Sequence, residues 1–123
     1  MGKPSQQKGR RAELELSTIL AGYGFDVRPG EPVSFGKEPD LVGLPHIHIE
    51  SKRREAVNIA AALRQAKADS ERFGDGAPAV FCRGNREKWR VVMELDEWMI
   101  LYRWALSGGF GRSNEQEGIY DTP

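Results

Sequence analysis

The stretch Glu50-Ser51-Lys52 follows residues that alternate between apolar and polar, as in a β-strand. On a strand, residues two positions apart share a face, so a carboxylate and an ammonium group are held side by side. Asp40 opens the preceding strand candidate, directly after Pro39. If these two strands are neighbours, Asp40 and Glu50 converge on one point. Two carboxylates, a backbone carbonyl and water molecules are ligands that suit Mg²⁺.

A divalent ion bound at such a point would polarise a phosphodiester and acidify a water molecule. Lys52 would then hold the attacking water or stabilise charge on the phosphate. Taken alone, however, Glu-x-Lys on a strand is also the pattern of an ordinary ion pair across one face. The interpretation therefore depends on the elements that must position these residues.

Hydrophobic periodicity and turn residues predict eight elements. In chain order they are a helix over 9–23, strands over 25–28, 40–44 and 46–53, a helix over 56–73, strands over 79–83 and 89–95, and a helix over 97–107 capped by Asp96. The predicted apolar stripes are Ala12, Leu16, Ile19, Leu20 and Tyr23 on the first helix, and Ile59, Leu63, Ala66 and Phe73 on the second. This order predicts an α/β fold with one mixed central sheet of about five strands flanked by helices.

A chain of 123 residues fits one domain. Because both ends are polar, we expect residues 1–8 to be a flexible basic arm, 9–107 to be the folded domain and 108–123 to be a disordered tail. Cys82 is the single cysteine and reads as a small buried hydrophobe; without an internal disulfide the chain is expected to be cytoplasmic. No apolar run approaches the roughly 18 residues that cross a bilayer, so we expect no membrane partner.

Charge balances overall, with 18 basic and 18 acidic residues, but the basic residues cluster near the proposed site. Local clusters can supply phosphate contacts on a neutral protein. An ordinary solvated surface gives the same pattern. The candidate DNA contacts are Lys8, Arg10, Arg11, Arg53 and Arg54.

The combined pattern of Pro39-Asp40 and Ile47-His48-Ile49-Glu50-Ser51-Lys52 resembles the motif of the PD-(D/E)XK nuclease superfamily. The opening Gly9-Arg10-Arg11-Ala12-Glu13, with Leu20 and Gly24-Phe25 behind it, is similar to the first helix of archaeal-type Holliday junction resolvases and their phage relatives. The resemblance covers residues 8–95 and implies a restriction-endonuclease-like core. It also implies a metal-dependent DNA endonuclease that acts on branched DNA.

The same resemblance implies roles for individual residues. Asp40 and Glu50, helped by the Ser51 carbonyl, would bind Mg²⁺ or Mn²⁺. Glu13 would reach the metal directly or through water, and Lys52 would be the catalytic lysine. Two further residues would assist, namely Gln65, which would support the site, and Ser34, which lies where resolvases place a loop serine.

Several alternatives stay open at the level of sequence. Glu13 and Glu15 flank the apolar stripe of the first helix equally, so helical phase does not choose between them; the resemblance chooses Glu13, which leaves Glu15 as a solvated flank residue. His46 and His48 share the strand face of Glu50, a pattern that also allows a zinc site. The other interpretation is that both histidines line the DNA side or pack beneath it.

Function has alternatives as well. A restriction-type or repair nuclease of the same fold, or a non-catalytic DNA-binding or assembly protein, would share these motifs. The last helix carries apolar residues on more of its circumference than one core contact uses, including Trp98, Tyr102 and Trp104. Such a helix is either well covered by the core or in contact with a partner. Because resolving a junction also needs two matched cuts, we expect a homodimer.

Overall fold

The computed structural model describes residues 3–31 and 38–108, with side chains described from Gly9 onward. The elements follow the predicted order α-β-β-β-α-β-β-α, which is confirmed. They are α1 (Lys3–Gly22), β1 (Arg28–Pro29), β2 (Leu41–Val42), β3 (Ile47–Arg53), α2 (Ile59–Phe73), β4 (Ala77–Arg83), β5 (Arg90–Val92) and α3 (Leu95–Ser107).

Helix α1 begins earlier than its apolar pattern indicated. Residues 3–8, predicted as a flexible arm, continue the helix. Its buried face runs through Ala12 and Leu16, with Leu20 packed beside them at the same four-residue spacing. Ile19 lies on the flank of this face and is 38% exposed, while Tyr23 follows the last helical residue and is 76% exposed. The predicted stripe was therefore wrong for these two residues.

The five strands form two hydrogen-bonded sheets, one of two strands and one of three, rather than the single sheet that we predicted, although the α/β class is confirmed. β1 pairs antiparallel with β2, while β3 and β4 are parallel and β5 is antiparallel to β4. Gly43 follows β2 with φ of 112°. A Cβ at this residue would lie 2.1 Å from the Asp26 carbonyl oxygen, so only glycine allows this close approach. The chain then turns before β3 instead of extending one ladder from β2.

Two apolar clusters cover opposite faces of the larger sheet. On one face α1 contributes Leu16, which packs with Ile49, Ala79 and Phe81. On the other face α2 packs against Val80 and Cys82 of β4. Alternation along β3 and β4 thus sends odd-numbered residues toward α1 and even-numbered residues toward α2. Cys82 is buried, as predicted, and this burial raises the pKa of its thiol.

The buried side of α2 is made of small residues, Ala62, Ala66 and Ser70, spaced four apart. Asn58 caps the helix by accepting a hydrogen bond from the Ala61 backbone N–H. Ile59, predicted on the apolar stripe, lies in the first turn and is 37% exposed, so that assignment was wrong. Small side chains bring the α2 backbone close to the sheet, which lets its polar side chains reach β3.

The chain divides into two compact units, residues 1–93 and 94–123, and α3 is the described helix of the second. Its N-cap is Glu94 rather than the predicted Asp96, because the helix begins at Leu95; the Asp96 carboxylate instead accepts from the Glu97 backbone N–H. No residue of α3 is buried. The predicted tail from 109 onward lies outside the described residues. Within the described ranges, no helix has the length and hydropathy needed to span a membrane.

Candidate active site

Strand β3 presents Glu50 and Lys52 on the face that looks toward α2. Ile49, which directly precedes Glu50 and therefore points to the other face, belongs to the apolar cluster under α1. Asp40 stands immediately before β2, and Glu13 lies near the middle of α1. Three regions that are distant in sequence therefore contribute predicted site residues: α1 contributes one, the start of β2 contributes one and β3 contributes two.

Glu13, Asp40 and Lys52 line a cleft of about 400 Å³, which we call the polar cleft, whereas Glu50 is not part of its lining. Residues that were predicted as metal ligands, as catalytic groups and as DNA contacts all line it. The lining is Gly9, Ala12, Glu13, Asp40, Ser51, Lys52, Arg53 and Arg54. The lining thus combines two acids with three consecutive basic residues at and just after the end of β3.

Glu13 has the most perturbed acid–base behaviour of the described groups in this cleft. Its pKa is raised from 4.5 to about 7, first because the side chain is half-buried and next because of the Asp40 charge. A hydrogen bond shared with Asp40 and the Glu50 charge act in the same direction, while Arg10 opposes them. The cluster consequently retains a proton near neutral pH, at a place where a cation would offset the same repulsion.

Lys52, which lines the polar cleft, is held in place by two neighbouring side chains. Its Nζ donates a hydrogen bond to Gln65 Oε1 at 2.8 Å and lies 3.8 Å from Glu50 Oε2. Only 16% of the Lys52 side chain is exposed, so its position depends on these two partners. Gln65 on α2 therefore contacts the lysine directly, whereas the sequence indicated only general support.

Glu50 has a second neighbour that the sequence did not identify as its partner. His48 Nε2 lies 3.0 Å from Glu50 Oε1, and His48 Nδ1 lies 3.0 and 2.9 Å from the two carboxylate oxygens of Asp75. Both His48 and Glu50 are buried, with 1% and 6% exposure. Burial alone would lower the pKa of His48, but hydrogen bonds to Glu50 and Asp75 outweigh it and raise the pKa. Each ring nitrogen therefore has a carboxylate oxygen within hydrogen-bond distance.

Asp75 reaches His48 through the turn between α2 and β4. Gly74 ends α2 with φ of 62°, and Gly76 has φ of 138°. A Cβ on Gly76 would lie 2.3 Å from the His46 carbonyl carbon, so the turn passes directly against the start of β3. The Ala77 N–H donates to the His46 carbonyl oxygen at 2.8 Å. The Gly-Asp-Gly sequence was the signal available for this contact, but its partner depends on the parallel register of β3 and β4.

A second cavity, of about 140 Å³, lies on the His48 side of Glu50; we call it the His48 pocket. Asp69 of α2 lines it together with His48, Glu50 and Asp40. Among the described residues, the group whose ligand atoms all lie within 4.8 Å of one another is His48, Glu50 and Asp69, not the predicted set with Glu13 and Asp40. Asp69 was missed in the sequence.

The remaining predicted residues have varied positions. Arg10 and Arg11 are exposed on α1, and Arg54 is exposed after β3, while Arg53 donates to Asn85 Oδ1 at 2.8 Å. His46 lies in the turn before β3 with φ of 69° and does not join the His48 cluster. Two predicted DNA contacts, the Lys8 side chain and Ser34, lie outside the described residues.

Glu15 proves to be an anchoring residue rather than a solvated flank. Its Oε1 accepts hydrogen bonds from Arg83 Nε at 3.1 Å and from Trp89 Nε1 at 2.8 Å. These contacts hold α1 against β4 and the segment after it. The two glutamates that helical phase could not separate thus have different partners, and it is Glu13 that faces Asp40.

Comparison with known proteins finds similarity among solved structures. No protein-family model matches the sequence, and no curated protein matches it. Among solved structures, the chain is similar to Archaeoglobus fulgidus Hjc, a Holliday junction resolvase from an archaeal hyperthermophile. The two share 25% sequence identity with a TM-score of 0.54, over 70% of this chain and 72% of the other.

Proposed function

We propose that this chain is a divalent-metal-dependent DNA endonuclease that hydrolyses phosphodiester bonds in branched DNA. The carrying observation is the polar cleft, where Glu13, Asp40 and Lys52 from three separate elements meet beside Glu50. The structural similarity to a Holliday junction resolvase supports the choice of substrate. The superfamily assignment to PD-(D/E)XK nucleases belongs to the same proposal.

The donor set fits a hard divalent cation. Asp40 and Glu50 would hold Mg²⁺ or Mn²⁺ together with the Ser51 carbonyl, and Glu13 would complete the set directly or through water. The pKa of Glu13 is raised to about 7, mainly because burial disfavours the charged carboxylate and next because of the Asp40 charge, and a bound cation would offset both effects. When bound, the ion polarises the phosphate and makes a water molecule more acidic.

The protein's own groups bind and orient the substrate around that ion. The Lys52 ammonium, held by Gln65, orients the attacking water or neutralises charge that develops on the phosphate. Arg54 at the rim, with Arg10 and Arg11 on the neighbouring helix, offers charge to the DNA backbone. Arg53, which is engaged with Asn85, shapes the same rim.

The test is cleavage of three substrates by purified protein, with and without Mg²⁺: a four-way junction, linear duplex and single strand. We expect metal-dependent cutting of the junction. Asp40→Asn should abolish cleavage but keep DNA binding equal or tighter, because a negative charge near phosphate is lost. Asp26→Asn, an exposed aspartate outside both cavities, is the matched control. Equal cutting by Asp40→Asn and the parent would refute the assignment.

The same experiment separates the alternatives. Preference for linear duplex would indicate a restriction-type or repair nuclease. Junction binding without cleavage in Mg²⁺ and Mn²⁺ would indicate a non-catalytic DNA-binding or assembly protein. Either result would replace the proposed resolvase activity.

We also propose that the working form is a homodimer. Resolution of a junction needs two matched cuts, and a two-fold axis places two equal sites at a fixed spacing. On α3 the rings of Trp98 and Tyr102 stack with centroids 5.1 Å apart, and such aromatic residues are enriched at interfaces. Sedimentation at micromolar concentration should show a dimer, and Trp104→Glu should yield a folded monomer. A 13.8 kDa monomer that makes paired cuts would contradict the proposal.

A further inference from the structure

The His48 pocket has the features of a metal site of its own, distinct in chemistry from the polar cleft. Its three candidate ligands come from β3 and α2, and their ligand atoms all lie within 4.8 Å of one another. Four carboxylates line the cavity, from Glu38, Asp40, Glu50 and Asp69, against the cationic Arg72 and the imidazole of His48. The pocket is therefore rich in negative charge although the chain as a whole is neutral.

The orientation of His48 is the second observation. Asp75 holds Nδ1 through both carboxylate oxygens, at 3.0 and 2.9 Å, and the ring stacks on Phe73 with an interplanar angle of 11°. A metal-ligating histidine typically donates its other ring N–H to a carboxylate in this way, which fixes the direction of the ligating nitrogen. Nε2 is consequently directed at Glu50 and the pocket.

The distance between the first two candidate ligand atoms also fits a bound metal ion. His48 Nε2 and Glu50 Oε1 lie 3.0 Å apart. Two ligands bound at about 2.1 Å and at right angles are about 3.0 Å apart, so the same spacing accommodates a proton or a metal ion between them. Glu50 Oε2 points elsewhere, 3.8 Å from Lys52 Nζ. The Glu50 carboxylate thus has Oε1 beside His48 and Oε2 on the side of Lys52.

We propose that His48, Glu50 and Asp69 form a binding site for a transition-metal ion such as Mn²⁺ or Zn²⁺, with Asp75 as the positioning residue of His48. An imidazole nitrogen with two carboxylates favours these ions over Mg²⁺, which prefers all-oxygen sites. On binding, Nε2 releases its proton to solvent and takes the ion in its place. Glu50 Oε1 then belongs to this site, while Oε2 stays beside Lys52. The site stands without any assumption about cleavage.

The test uses the full chain and MnCl₂ alone, without DNA, and counts bound ions by electron paramagnetic resonance. We expect two Mn²⁺ per chain, of which one shows ¹⁴N modulation in pulsed spectra from the histidine nitrogen. Asp40→Asn should remove the all-oxygen site and keep the ¹⁴N signal. Asp69→Asn should remove the ¹⁴N signal or weaken that site by at least tenfold, and Asp75→Asn should weaken it by about 10–100-fold.

Matched controls exclude indirect effects. Glu71→Gln is an exposed change on the same helix, and His46→Asn changes the other histidine at a positive φ that asparagine tolerates. Both should keep the ¹⁴N signal. Asp69 is only half-buried, so we expect Asp69→Asn to fold and to test the site directly.

Bound Mn²⁺ without ¹⁴N modulation, or modulation that survives Asp69→Asn at full affinity, would overturn the proposal. The outcome is separable from the nuclease assignment. Cleavage with a single all-oxygen ion would refute the His48 site and keep the nuclease, whereas a ¹⁴N-bearing site in a protein that cuts nothing would do the reverse.

Discussion

The two faces of β3 are buried to a similar extent but by opposite means. On the α1 face, Ile49 is 3% exposed and packs among apolar neighbours such as Leu16. On the α2 face, His48 and Glu50 are 1% and 6% exposed, but they are held by hydrogen bonds to each other and to Asp75. Burial alone therefore does not distinguish residues that pack the core from residues that could take part in chemistry in this strand. The contacts that each side chain makes distinguish them.

This difference has an energetic consequence. Apolar burial stabilises the fold directly, by about 1.5–3 kcal/mol for a side chain of this size. A buried polar or charged group lowers stability unless it is hydrogen-bonded, so the α2 face gains little net stability from its networks. We infer that the α1 face supplies most of the folding free energy in this part of the sheet, while the α2 face holds charge in place.

The largest expected effect is on cleavage, from Lys52→Ala. The substitution removes an ammonium that Gln65 and Glu50 hold at the cleft, and we expect the rate to fall by about 10²–10³-fold with folding preserved. Single-turnover cleavage of a junction measures it, with circular dichroism as the check on folding. Lys67→Ala, an exposed lysine on α2, should cut at the parental rate. A cleavage rate within about threefold of the parent would remove Lys52 from the mechanism.

Leu16→Ala should have the opposite effect to Lys52→Ala: it should lower the stability of the fold and leave cleavage by the folded protein unchanged. Leu16 is 1% exposed at the centre of the α1 cluster, so its truncation should destabilise the fold by about 2–5 kcal/mol. Well below the unfolding midpoint, the folded fraction should still cleave normally. Urea denaturation measures the loss, and Leu14→Ala, at 47% exposure on the same helix, should change stability far less. If both variants destabilise equally, the apolar face has been assigned wrongly.

Glu13→Gln should change the pH dependence of stability in metal-free protein. The pKa of Glu13 is about 7 in the folded state against an ordinary 4.5, so the folded state binds this proton more tightly. Its contribution is complete below pH 4.5 and is lost as pH rises through about 7. The melting temperature in EDTA should therefore fall over that window, and less steeply in Glu13→Gln.

The exposed variant Glu71→Gln is the control for this measurement and should follow the parent. Mg²⁺ or Mn²⁺ added to the parent should raise its melting temperature, because an ion that binds only the folded state stabilises it. Parallel pH profiles for the parent and Glu13→Gln would show that Glu13 titrates normally.

The sequence predicted the order of elements and the shared face of Glu50 and Lys52, because both follow from local periodicity. It did not predict the role of Asp75 or Asp69. Asp75 lies 27 positions after His48, and the two meet only through the parallel register that places Ile47 beside Ala77. Such contacts depend on tertiary pairing that no local pattern encodes.

The errors in burial have a related cause. Ile59 and Tyr23 fit a helical stripe by spacing, but one lies in the first turn of α2 and the other lies beyond the end of α1. Periodicity gives the face of a helix, whereas the length of the sheet beneath it decides how much of that face is covered. The division of the strands into two sheets depends similarly on the close approach of the Asp26 backbone to Gly43.

The smallest expected effect comes from Glu15→Gln and bears directly on a choice that helical phase left open. Glu15 accepts from Arg83 and Trp89, and glutamine keeps an acceptor there while removing the charge. Because 40% of the Glu15 side chain is exposed, we expect a loss of only about 0.2–1 kcal/mol in urea denaturation. Cleavage should stay at the parental rate, because neither partner of Glu15 lines the polar cleft. The same substitution two residues earlier, Glu13→Gln, should instead reduce cleavage. If Glu15→Gln stops cleavage while Glu13→Gln does not, the α1 residue of the active site is Glu15, and the assignment of Glu13 to that role is wrong.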